Sequence, residues 1–131
     1  MATTVPLTGT KGGEVNFLVR QGADFVRILT LRDRATSNPI DITGQTFAGK
    51  VRKTADSATV AATFTCTVVS GPAGTVRIKL AAADSAAMTC DPDDAEADAS
   101  TYVYDIERTD TTPEVHPVLF GNLYLWREVT R

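Results

Sequence analysis

Histidine and cysteine are scarce in this chain: His116 is the one histidine, and Cys66 and Cys90 the two cysteines, among 131 residues. Two isolated thiols and one distant imidazole do not assemble the four ligands of a tetrahedral metal site, so no metal is expected. Nor do two cysteines build the disulfide framework of a small secreted domain. Cys66 falls on the apolar face of a strand, where a free thiol behaves as a small hydrophobe, and two unbridged thiols are expected. No catalytic constellation is visible. His116 is followed by Pro117, and no Ser or Cys nucleophile sits in an activating turn. Gly-rich phosphate loops are missing too, because Gly12-Gly13 precedes a strand and not a helix N-terminus. No cofactor is expected.

Long apolar runs are also absent, and no segment approaches the roughly 20 apolar residues of a membrane helix. Residues 1–13 show no positive start followed by an apolar stretch, so no secretory signal is expected, and synthesis and folding in a cytoplasm are. No Lys/Arg cluster is interleaved with aromatics, and the net charge of −3 disfavours nucleic acid. That charge is unevenly spread. Residues 1–79 carry ten basic and five acidic side chains, whereas residues 84–114 carry ten acidic ones and a single basic one, Arg108. Either a solvated acidic loop accounts for this, or a dipolar surface suited to a complementary neighbour does.

What the chain does have is alternation. From Val60 to Leu80, Val60, Ala62, Phe64, Cys66 and Val68 share one face with threonines opposite; after the turn Ser70-Gly-Pro-Ala-Gly74, Val76, Ile78 and Leu80 alternate with Thr75, Arg77 and Lys79. Successive strand side chains point to opposite faces, so this is a hairpin with one dry and one wet side. Further strands are expected at Val15–Val19, Thr46–Lys53, Thr101–Arg108, Val115–Phe120 and Leu123–Val129, the last two broken near Gly121. Another is expected at Phe25–Leu31, which is denser in apolar residues, as expected for a strand covered on both faces. Ala81–Met88 has no β-branched residue and is rich in alanine, which predicts a short helical insert near 81–89. Seven or eight short strands with turn signals roughly every ten residues predict an all-β fold, a single antiparallel immunoglobulin-like β-sandwich. One domain is expected over 14–131, preceded by a flexible or partner-ordered Thr/Gly-rich arm, 1–13.

Contact surfaces are the remaining candidates. If Leu123 and Leu125 face the core, Tyr124 and Trp126 lie together on the opposite side, either as a docking patch or under other parts of the domain. The acidic loop Asp91–Asp98, with Asp93, Asp94 and Glu96, is a second contact candidate; it lacks EF-hand spacing and Pro92 interrupts it.

Several of these segments, in order, resemble a known family: Asp41-Ile-Thr-Gly44 with a strand ending at Val51-Arg52; Gly74–Leu80 running into Ala81–Met88; Tyr102-Val-Tyr-Asp-Ile-Glu107; and Val118–Leu125 closing on Glu128–Arg131. Over about residues 15–131 the chain is similar to the small β-sandwich domain of tailed-bacteriophage virion proteins, as in the N-terminal domain of the baseplate upper protein. The resemblance implies a non-enzymatic structural protein of the virion, made in the host cytoplasm. It would be an assembly or adaptor module in the tail or baseplate, contacting fibre or other tail proteins and copies of itself. The implied residue roles are structural: Asp41 and Thr43 pin a turn whose Gly44 takes an unusual backbone angle, Asp105 anchors a loop, and Gly121 marks a bulge or bend. Two alternatives remain: a capsid decoration protein, or a carbohydrate-binding adhesive module that stacks sugars on Tyr102, Tyr104 or Trp126.

Overall fold

The alternating segments become strands wherever an apolar face has something to cover. The computed structural model describes residues 2–7, 13–33, 35–88 and 99–126. In chain order these form β1 (Ala2–Leu7), β2 (Gly13–Glu14), β3 (Phe17–Arg20), β4 (Phe25–Asp33), β5 (Thr46–Arg52), β6 (Ala62–Ser70), β7 (Thr75–Leu80), α1 (Ala82–Ala87), β8 (Ala99–Thr109) and β9 (Val115–Trp126). The described residues are mostly β with one short helix, as the alternation and the alanine-rich insert predict.

The strands join in one hydrogen-bonded sheet, ordered β1-β4-β7-β6-β5-β8-β9-β2, with β3 also on β9. It curls as a half-barrel until β1 approaches β2 and β9. Strand β6 is the corner: Ala62–Phe64 pair with β5, whereas Thr65–Ser70 pair with β7. The expectation of a purely antiparallel arrangement is corrected here. β1 runs parallel to β4, and both β2 and β3 run parallel to β9. Residues 2–7, expected within a flexible or partner-ordered arm, form a strand on this chain's own sheet. The chain thus lines one edge with β1 and the other with β2 and β3, a long-range arrangement that local alternation does not encode.

The inner face is a single core. Leu29, Leu31, Val76, Ile78 and Leu80 from one side meet Val51, Ile106, Leu123 and Leu125 from the other. At its centre Phe17 stacks on Tyr104, with ring centroids 4.6 Å apart, and Phe64 meets both rings edge-on. Such pairs contribute roughly 0.5–1.5 kcal/mol beyond their area burial.

Helix α1 has no side-chain cap of its own; instead the Asp24 carboxylate accepts the Ala82 N–H at 2.7 Å across the fold. Ser85, fully buried, accepts the Gly22 N–H at 3.0 Å and lies 3.0 Å from the Ala23 carbonyl. These contacts fasten the helix to the β3–β4 turn.

Two further segments fix the frame. In the turn after β4, the Asp41 carboxylate accepts the Thr43 N–H at 2.9 Å and its hydroxyl at 2.6 Å, holding the Asp41 carboxyl below its usual range. Gly44 there has φ +76°, a left-handed conformation that favours glycine. Gly71 packs against this turn so closely that a Cβ would sit 2.3 Å from the Thr43 Oγ1. β9, expected to break near Gly121, runs unbroken from Val115 to Trp126. The bulge lies earlier, between the Ile106–Leu119 and Glu107–Pro117 pairs.

Candidate functional site

The same alternation that fills the core with Tyr102, Tyr104 and Ile106 turns Thr101, Val103 and Asp105 outward. Register then builds rows across the outer face. Lys50 of β5 stands opposite Asp105, which stands opposite Phe120, which pairs with Glu14 of β2. In the next row Arg52 opposes Val103, and Val103 opposes Asn122. Beyond these, Thr101 meets Tyr124, which pairs with Leu18 of β3, and Trp126 pairs with Arg20.

The first two rows line a cleft of about 450 Å³. Val103, Phe120 and Asn122 form its floor. Lys50, Arg52 and Ala55 stand on one side, and Glu14 and Asn16 on the other. The Glu14 side depends on an irregular junction between β2 and β3. The Val15 N–H donates to the Phe120 carbonyl at 2.9 Å, and the Asn16 side-chain carbonyl accepts the Asn122 N–H at 2.9 Å, in place of a backbone acceptor. The Tyr104 hydroxyl donates to the Val15 carbonyl at 2.5 Å, and burial raises its pKa far above that of a free phenol. Gly121 is what lets this junction approach β9: a Cβ there would lie 2.1 Å from the Val15 carbonyl oxygen. The role of Gly121 is therefore close approach, not the bend expected of it.

Beside the cleft, Leu18, Tyr124 and Trp126 make an apolar strip. Leu18 is 57% exposed, while Tyr124 and Trp126 are half-buried. The Asn122 amide donates to the Tyr124 hydroxyl at 3.3 Å and connects strip and cleft.

Other expected residues fall elsewhere. Tyr102 and Tyr104 are each only 4% exposed, so neither serves as a stacking platform for sugars. They are core residues because their strand positions share the face of Ile106, and Lys53 covers the Tyr102 ring at 4.7 Å. Asp105 anchors no loop; it is exposed, and its carboxylate has no hydrogen bond or ion pair among the described residues. Asp93, Asp94 and Glu96, and Cys90 with them, lie outside the described residues. Cys66 is half-buried, and burial pushes its thiol up to about 11.

One cluster of potential metal ligands occurs among the described residues, Asp110, Glu114 and His116, at the β8–β9 turn. Asp110 is already engaged in closing that turn. It accepts from the Thr112 hydroxyl, from the Thr112 N–H at 2.9 Å and the Glu114 N–H at 2.7 Å, and it meets His116 Nε2 at 2.8 Å. These contacts, led by the Thr112 hydroxyl, hold its carboxyl well below the usual carboxylate range. They explain the cluster as a turn lock.

Lys50, Asn16, Glu14 and Asn122 were not legible as a group. Each reads as an ordinary outward or edge residue, and only strand order brings them together. Compared with known proteins, the chain matches no family model and no curated protein sequence.

Proposed function

We propose that this protein is a non-enzymatic assembly module of a tailed-phage particle, docking to other tail, baseplate or fibre proteins through the outer face of β3 and β9. The observation that carries this reading is the strip of Leu18, Tyr124 and Trp126, an exposed aliphatic residue paired with one half-buried aromatic, with a second two residues further along β9. Aromatic residues are enriched at the centres of protein interfaces, and a rigid sheet presents them at little entropic cost. The ordered segments from Asp41-Ile-Thr-Gly44 to Val118–Leu125 supply the phage context. The immunoglobulin-like sandwich that this resemblance implies belongs to the same proposal: β1-β4-β7 and β5-β8-β9 would be its two layers, with β6 turning from one to the other. In a symmetric particle, modest interfaces add up through high local concentration.

Labelling of intact particles with antibody against the chain tests the location. Signal at the tail or baseplate supports the reading, and signal spread over the capsid moves the protein to a decoration role. A Leu18→Asp/Trp126→Ala double variant should fold and yet fail to enter particles. Normal incorporation of that variant overturns the docking face.

A further inference from the structure

The cleft between β5 and the β2–β3 junction holds more hydrogen-bonding capacity than the fold uses. Among the described residues the side chains of Lys50, Asp105 and Glu14 make no hydrogen bond or ion pair. Arg52 commits one N–H, from Nη1 to the Ser57 carbonyl at 3.0 Å, and the rest of its fork has no partner among the described residues. The charges balance, with Lys50 and Arg52 against Glu14 and Asp105. Lys50 and Asp105 are also directly opposed across β5 and β8, so each largely cancels the other's field.

A polyanion gains little from such a lining. A hydroxyl gains from both halves of it, accepting from an ammonium or guanidinium while donating to a carboxylate. Val103 and Phe120 add an apolar floor against which a C–H face can lie. The volume of about 450 Å³ falls in the lower part of the usual range for ligand sites. The geometry points to a neutral saccharide, one or two sugar rings long, bound in this cleft. Asp105 and Glu14 accept from its hydroxyls, Lys50 and Arg52 donate to them, and Phe120 backs the ring. The strip of Leu18, Tyr124 and Trp126 does not line the cleft, so this inference stands apart from the docking reading.

The test is titration of the full chain, followed by amide NMR shifts, with galactose, N-acetylglucosamine, lactose and cellobiose as probes and inorganic phosphate and glycine as controls. At least one neutral sugar should give saturable shifts at Lys50, Asp105 and Asn122, with a Kd of roughly millimolar order. Asp105→Ala and Lys50→Ala should each weaken it about tenfold while shifts elsewhere show an intact fold. Trp126→Ala should leave it unchanged. Saturation by phosphate or glycine alone, or no saturable shift from any of the four sugars, overturns the inference.

Discussion

Tyr104 and Asp105 are neighbours in sequence and opposites in environment. Tyr104 faces inward, stacked on Phe17 and bonded to the Val15 carbonyl, with 4% of its surface exposed. Asp105 faces outward, open to solvent in a cleft whose polar groups it does not satisfy. The two sides of β8 and β9 thus divide labour by parity. The inner side packs Tyr102 and Tyr104 and holds the curled sheet together, while the outer side carries donors and acceptors unused among the described residues and an apolar strip. Stability and the proposed recognition should therefore be separable by substitution, one residue apart.

The largest expected effect is on the inner side. Tyr104→Ala removes a stacked ring and leaves a cavity, and should cost about 3–5 kcal/mol in denaturant unfolding. If Asp105→Ala cost as much, the division between faces would fail. Cys66, inward-facing on β6, should be slow to react. With its thiol near 11 against an ordinary 9.0, the thiolate fraction at mildly alkaline pH falls roughly a hundredfold, readable as alkylation rate in a Cys90→Ser background.

Gly121→Ala should cost about 1–3 kcal/mol, because the new methyl meets the Val15 carbonyl and forces the β2–β3 junction away from β9. Loss of the cleft should accompany it; retained stability with unchanged Asn16 and Asn122 shifts would show that the junction is less tightly held than the contacts indicate.

At the turn joining these two strands, Asp110→Asn should lower stability at neutral pH by a smaller amount. The folded carboxyl lies below its ordinary value near 3.8, so its contribution is fully present above that value and disappears as pH falls through the folded one. Urea midpoints of the two proteins should therefore converge on going from neutral pH to about pH 2. Parallel curves would break the assignment. Smallest of all, Asp105→Ala should shift stability by no more than about 0.5 kcal/mol.

Much of the inner side is legible in the sequence. Phe64, Val76, Ile78 and Leu80 alternate with polar residues and are all buried in the β6–β7 hairpin. The helix at Ala82–Ala87 follows from its alanine content. Tyr102 and Tyr104 fall on the face of Ile106 by the same two-residue period. The outer cleft is illegible for the opposite reason: Lys50, Asp105, Asn122 and Asn16 come from four segments whose adjacency depends on strand order. Parallel pairing of β1 with β4 and of β3 with β9 escapes local pattern as well, since a strand's alternation is the same whichever way its partner runs.

By itself, then, the sequence determined which residues turn inward, because burying apolar side chains at a two-residue period depends only on the local chain. It also determined the turn at Asp41–Gly44, where an Asx contact and a positive-φ glycine act within four residues. Tertiary structure alone decided that the sheet is mixed and curled, that Val15 crosses at Gly121, and that charges from β5 and β8 line one cleft with amides from β9 and the β2–β3 junction. Those outcomes rest on contacts between distant segments, such as Asn16 with Asn122, 106 positions apart, and no local period records them.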